Sequence, residues 1–309
     1  MSNSLELRSG RIVKALSGYY YVQPDGAAES GAPDDTPIQC RARGVFKKRG
    51  LTPLVGDLVH YLPDGHGEGT VTELLPRSSV LVRPPVANIE LAVLVFAVTE
   101  PTLNLQLLDK FLAHIEHAGL ETIICLSKQD LQDTAAERAV ADVLRIYPPL
   151  GYDVYPTSAL RGDGADALLQ RLQGRLSVFA GQSGVGKSSL LNRLVPGLEL
   201  ETNAISNRLG RGKHTTRHVE LIAIGGDGYV ADTPGFSQLD FAQLGVEELD
   251  TCFPELRAHA SDCRFRGCTH LHEPGCAVLE AKAAGAIADS RYDHYALFVE
   301  ELKDKKRRY

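Results

Sequence analysis

The sequence has no apolar run of membrane-spanning length. Its longest, LAVLVFAV at 91–98, is the size of one strand, well short of the roughly 18 residues that a transmembrane helix needs. It has no excess of positive charge: 33 Lys and Arg stand against 39 Asp and Glu, a net charge of −6. A global attraction to nucleic acid is therefore excluded, and any such contact must use a local basic patch. Cysteine is scarce, six in 309 residues, which argues against a disulfide scaffold. The chain has no internal repeat and no long low-complexity stretch. The segment MSNSLELRSGRIVK lacks the apolar core of a secretory signal. The expectation is a cytoplasmic protein with no membrane partner.

What is present is ordinary in bulk, 43% hydrophobic and 23% charged, and at this length two or three domains are expected. Residues 1–84 carry five short apolar runs (GRIVKAL, YYYVQP, IQCRARGVF, GDLVHYL, GTVTELL) separated by turn-rich segments. This pattern predicts a small all-β barrel, of which an OB-fold is one kind. Within it RARGVFKKR, 41–49, has five basic residues in nine. It reads either as a solvated strand edge and hairpin or as an RNA-backbone contact with nearby tyrosines for stacking. Residues 85–240 alternate strand and helix: 91–98 then 104–118, 121–127 then 134–146, 152–157 then 164–173, 175–180 then 187–195. Such alternation predicts βαβ units around a mostly parallel sheet. Two further strands are expected at 218–224 and 228–232. Residues 241–309 are polar and helix-prone, contain a Cys/His cluster and finish in LKDKKRRY, a solvated helix terminus or an RNA-contacting tail.

The chemistry begins at Gly181-Gln182-Ser183-Gly184-Val185-Gly186-Lys187-Ser188, followed by Ser189. This is GxxxxGKS between an apolar strand and a helix. Glycines allow the backbone N–H groups to converge on a phosphate chain at a helix N-terminus. Lys187 is expected to reach the β- and γ-phosphates, and the Ser188 hydroxyl to hold Mg²⁺. Asp232-Thr-Pro-Gly235 closes a later strand, where Asp232 can hold Mg²⁺ through water and the Gly235 N–H can sense the γ-phosphate. Between them RGKHTT offers Thr215 or Thr216, the latter favoured, as the switch threonine. Phe236 stands just after DTPG, and an apolar side chain cannot orient water. Either His214 or a partner is therefore expected to complete hydrolysis.

Two segments that look like a base-reading set lie upstream of the phosphate loop. Ser127-Lys128-Gln129-Asp130 resembles Asn-Lys-x-Asp, and Thr157-Ser158-Ala159 resembles a Ser-Ala loop. Their order is that of a circularly permuted domain, in which all parts still meet at the carboxyl ends of parallel strands. Asp130 offers two acceptors to guanine N1–H and N2, which favours GTP over ATP. Finally, Cys263-x4-Cys268-x-His270-x5-Cys276 supplies three thiolates and an imidazole, a closed tetrahedral shell for one structural Zn²⁺. His259, His272 and His294 are alternative ligands by proximity.

The small barrel, GQSGVGKSSL, RGKHTT, DTPGF and the C-x4-C-x-H-x5-C spacing together resemble the RsgA (YjeQ/YloQ) family of bacterial small-subunit GTPases over nearly the whole chain. The resemblance implies an OB-fold at 1–84, a permuted GTPase domain at 85–240 and a helical zinc-binding domain at 241–309. It implies GTP hydrolysis to GDP and phosphate, with Mg²⁺, stimulated by the 30S ribosomal subunit during its late maturation. It implies contact with 16S rRNA, and a monomer is the expected state. By the same resemblance His214 becomes the candidate for water activation, and RARGVFKKR a likelier rRNA contact. One departure is Ser127, where the family usually has Asn, and weaker nucleotide binding is expected from it. A non-catalytic nucleotide switch and a P-loop ATPase are the competing readings.

Overall fold

The computed structural model of the chain describes residues 6–26, 36–64, 67–82, 85–200, 219–232 and 244–308. The first strands are β1 (Arg8–Leu16), β2 (Tyr19–Pro24) and β3 (Ile38–Ala42), followed by helix α1 (Gly44–Lys48), β4 (Leu58–Pro63) and β5 (Glu68–Leu74). Antiparallel pairs β1–β2, β2–β3 and β4–β5, a parallel pair β3–β5 and a closing antiparallel pair β1–β4 make a five-stranded barrel. The expected barrel is thus present. Its interior is filled by alternate residues: Ile12, Val22, Cys40, Val59, Tyr61 and Val71 are wholly buried, as a period of two demands.

The basic stretch 41–49 differs from the expected strand edge and hairpin. The chain leaves the sheet after Ala42 and winds into α1, where Phe46 is buried and anchors the turn. Gly50, at φ +67°, ends it, in the left-handed conformation that favours glycine after a helix. Phe46 is buried while Val45 beside it is exposed, so the turn follows the packing of one aromatic rather than the β-like composition of the flanks.

The chain continues through β6 (Val80–Val82), β7 (Pro85–Ala87), β8 (Leu91–Ala97), α2 (Leu105–His117), β9 (Glu121–Ser127), α3 (Thr134–Ile146) and β10 (Asp153–Pro156). After these come α4 (Ala165–Leu172), β11 (Leu176–Ala180), α5 (Lys187–Leu194), β12 (Glu220–Gly225) and β13 (Gly228–Asp232). The last elements are α6 (Pro254–Ala260), α7 (Ala277–Ala283) and α8 (Asp289–Arg308). Each expected strand and helix of the α/β region is found within a residue or two. Among the described residues no helix is long and apolar enough to cross a membrane.

Contacts divide the chain into two compact units. The first comprises 1–91, 165–180 and 188–236. In it β13 lies parallel to β11 and antiparallel to β12, and β12 meets the barrel strand β1 at Lys14–Glu220, a pair 2.9 Å apart. The second comprises 92–164, 181–187 and 237–309. It therefore unites the Cys/His region with β9, β10 and most of β8. These strands run in the order β10–β9–β8, with β9 and β10 parallel.

Local chemistry fixes the helices of this second unit. Asn104 and Asp133 accept hydrogen bonds from Leu107 N (2.9 Å) and Ala136 N (2.8 Å) at the starts of α2 and α3, satisfying N–H groups that the first turn leaves free. One apolar cluster joins α2, through Ala113, to Leu249, Phe253, Leu256, Val278 and Phe298. Beneath it Arg291 is 1% exposed. Its Nε and Nη2 donate to the two oxygens of Glu255 (2.6 and 3.1 Å), and its Nη1 donates to Asp109 (2.6 Å). Phe253 packs on the guanidinium at 4.5 Å from the ring centroid. Burial works against the charge of Arg291, but Asp109 and Glu255 raise its pKa and keep it charged. Nothing in the sequence marks these three residues as partners.

Candidate nucleotide and metal sites

The phosphate loop leaves β11 at Gly181 and enters α5 at Lys187. Gly181 has φ +141°, and a Cβ there would stand 2.1 Å from the Val95 carbonyl oxygen. Only glycine fits. Val185 is buried in the loop, whereas Ser183 and Gly184 are exposed. The Lys187 ammonium folds back over the loop and donates to the carbonyls of Gly181 (2.7 Å) and Gln182 (2.6 Å). Burial lowers its pKa to about 8, because desolvation disfavours the charged ammonium.

Ser127 ends β9 and is 4% exposed. Its hydroxyl lies 2.5 Å from the Val185 carbonyl and 3.3 Å from that of Phe96. The upstream base-reading candidate and the phosphate loop are thus tied side chain to backbone, although they lie far apart in sequence. Lys128 follows in the left-handed region at φ +60°. Gln129 N donates to Thr157 O (3.1 Å), and its side-chain amide donates to Leu126 O (3.2 Å). The hydroxyl of Ser158, itself wholly buried, donates to an Asp130 oxygen at 2.5 Å and accepts from Arg161 N at 3.1 Å. Ala159 follows Ser158 in the same turn. The loops after β9 and β10 are consequently one stitched surface beside the phosphate loop.

Ser188 and Ser189 lie in the first turn of α5, and Asp232 is the last residue of β13. Thr215, Thr216, His214, Gly235 and Phe236 fall outside the described residues.

The Cys/His cluster assembles as its spacing predicts. Candidate ligand atoms of Cys263, Cys268, His270 and Cys276 all lie within 4.8 Å of one another. Cys263 Sγ and Cys276 Sγ are 3.8 Å apart, and His270 Nδ1 is 3.5 and 3.4 Å from them. Tetrahedral zinc with bonds of about 2.3 Å to sulfur and about 2.0 Å to nitrogen requires edges of about 3.8 and 3.5 Å, so the donor set fits that ion. His294, a possible alternative ligand, is engaged elsewhere: its Nδ1 is 2.5 Å from Asp109. The carboxylates around the cluster, Asp250 and Glu273, have no spacing signal that would single them out in the sequence.

Two family models match the chain, one described as the RsgA N-terminal domain over 9–71 and one as the RsgA GTPase over 74–242. The chain belongs to the RsgA GTPase family. Members of it are hydrolases acting on GTP. Among its relatives, the small ribosomal subunit biogenesis GTPase RsgA of Geobacillus thermodenitrificans is 52% identical, over 98% of this chain and 100% of that protein. The protein of that name from Bacillus cereus is 54% identical, over 97% and 99%. Of solved structures, YloQ, described as a circularly permuted GTPase, aligns over the full length of both chains with a TM-score of 0.82 and 40% identity. YjeQ from Thermotoga maritima aligns over 96% of this chain and 99% of its own, with a TM-score of 0.84 and 37% identity. In this chain the base-side candidates 127–130 and 157–159 precede the phosphate loop, the order of a circularly permuted domain.

Proposed function

We propose that this protein binds the 30S ribosomal subunit and 16S rRNA and hydrolyses GTP to GDP and phosphate during late subunit maturation, with turnover stimulated by the subunit. The observation that carries the nucleotide part is the tie from Ser127 to Val185, together with Asp130 held by Ser158. A base reader and a phosphate cradle separated in the chain are brought side by side, and the base reader presents a carboxylate suited to guanine. The ribosomal part is supported by relatives named for small-subunit biogenesis that match over nearly their whole lengths.

In this reading Gly181–Ser189 wrap the phosphates with their N–H groups. Lys187 exchanges its two carbonyl partners for the β- and γ-phosphate oxygens, and its charge stabilises the negative charge that builds there. Lys128, Gln129, Asp130, Ser158 and Ala159 hold guanine, and Ser127 ties their loop to the phosphate loop. Ser188 and Thr216, with Asp232 through water, are the residues that would hold Mg²⁺, which supplies charge neutralisation across the phosphates. The Gly235 N–H senses the γ-phosphate, and His214 orients the attacking water. Water adds to the γ-phosphorus, the bond to the bridging oxygen breaks, and GDP leaves. Cys263, Cys268, His270 and Cys276 would hold one Zn²⁺, with no open position for a substrate, so that the ion is structural.

Phosphate release measured with and without purified small subunits tests the proposal. A rise in turnover of roughly tenfold or more is expected, as for a catalytic centre completed by a partner. No rise removes the ribosomal part. His214→Ala is expected to abolish the stimulated rate while leaving nucleotide binding intact; an unchanged stimulated rate takes His214 out of the mechanism.

A further inference from the structure

Two carboxylates lie against the Cys/His cluster without contributing a ligand atom. Glu273 sits between His270 and Cys276 in the chain. One of its oxygens accepts from Thr269 N (2.8 Å) and Thr269 Oγ1 (2.6 Å), and the other from Leu271 N (3.0 Å) and His272 N (3.1 Å). Although burial opposes it, these donors, the Thr269 hydroxyl foremost, hold the Glu273 carboxyl well below the usual carboxylate range. The turn so gathered carries His270 at φ +57°, a left-handed conformation that a residue with a Cβ adopts at a cost. Tyr292 and Tyr295 of α8 clamp the same turn from the other side, donating to His270 O (2.7 Å) and Thr269 O (3.0 Å).

The second carboxylate comes from a different element. Asp250 opens the 3-10 turn Asp250–Cys252, and its Oδ2 is 3.3 Å from His270 Nε2. His270 is 1% exposed, so its ring has few alternatives. A proton on Nε2 directed to Asp250 leaves the lone pair on Nδ1, the nitrogen that faces Cys263 and Cys276 at 3.5 and 3.4 Å. A carboxylate behind a ligating histidine sets its tautomer and orientation.

We propose that Glu273 and Asp250 are positioning residues of the metal site, Glu273 by pre-forming the turn that presents His270 and Asp250 by fixing the imidazole with Nδ1 toward the ion. The inference rests on the zinc reading above. It makes the site rigid before metal arrives and predicts slow metal loss, because the imidazole cannot rotate away or the turn relax while both carboxylates hold.

Full-length protein is loaded with zinc, its metal content measured, and release to a colorimetric chelator followed for the unsubstituted chain, Glu273→Gln and Asp250→Asn. The expected result is one zinc per chain in all three and release roughly 10- to 100-fold faster in each variant, the range known for outer-shell partners. Cobalt-loaded samples should keep thiolate-to-cobalt absorption, showing that the ligand set survives. Release at the unsubstituted rate in both variants overturns the proposal, as does faster release in Glu273→Gln alone for the role of Asp250. A chain that holds no zinc before substitution overturns the metal reading itself, a distinguishable failure. Should Glu273→Gln not fold, Asp250→Asn, nearly isosteric and on a separate element, decides on the imidazole half, and Thr269→Val, which removes one donor to Glu273, decides on the turn.

Discussion

Ser127, buried at the end of β9, is the side chain on which the two halves of the candidate nucleotide site meet. From the sequence it is a short replacement for an amide in a base-reading loop. In the structure its hydroxyl is spent on the Val185 and Phe96 carbonyls, so it joins two loops. Ser127→Ala removes that donor and should weaken GDP and GTP binding about fivefold, the equivalent of about 1 kcal/mol for one hydrogen bond. Ser127→Asn, with a longer arm able to reach the base as well, should tighten it. Both are read by titration with a fluorescent guanine nucleotide. Lys187 gives a second prediction at this scale. Its pKa of about 8 belongs to the nucleotide-free chain, and phosphate charge raises it on binding. The charged amine is therefore already present below pH 8 and must be formed by proton uptake above it. Nucleotide affinity should be flat below about pH 7 and fall roughly tenfold by pH 9, since each pH unit above a pKa removes tenfold of the protonated form. Constant affinity over that range would show that Lys187 does not bind as the cation. The phosphate-loop motif and the Cys/His cluster are legible from spacing because each is a short, local set. Asp250 and Glu273 are not, because an outer carboxylate is defined by where its oxygens point.

At the scale of elements, the strands and helices of the α/β region follow from hydrophobic period and capping residues such as Asn104 and Asp133. The helix at 44–48 is not legible in the same way, because it depends on the burial of Phe46, which tertiary packing and not a local hydrophobic period decides. The same holds for the charges between α2, α6 and α8. Arg291 and Asp109 are 182 residues apart, and no pattern within one element announces them. Removing one member strands the others in an apolar setting. Asp109→Ala should cost about 3–5 kcal/mol, measured by denaturant unfolding. Replacing Arg291, Asp109 and Glu255 together with apolar residues of similar volume should cost much less, because no charge is then left buried alone. A triple variant as unstable as Asp109→Ala would show that the wider cluster, including the Tyr147 hydroxyl and the His294 ring that also bond Asp109, is stabilising.

At the scale of the whole molecule, the three regions read from the sequence follow composition along the chain, whereas the two compact units follow contacts across it. The Cys/His cluster lies wholly within the unit built from 92–164, 181–187 and 237–309. A strong chelator should therefore lower the thermal transition of that unit and leave the barrel-containing unit, followed through its tyrosines, close to its original midpoint. A single transition shifted as a whole would show that the two units unfold together.

The chain passes between the units at 91/92, 164/165, 180/181, 187/188 and 236/237. That interleaving has a consequence for the order of synthesis. The barrel can close as soon as its strands have left the exit tunnel, but the unit that carries the base-side loops lacks α6, α7 and α8 until the last third of its residues is translated. The nascent chain thus carries all five barrel strands while the second unit still lacks 237–309, so that unit can be completed only late in translation.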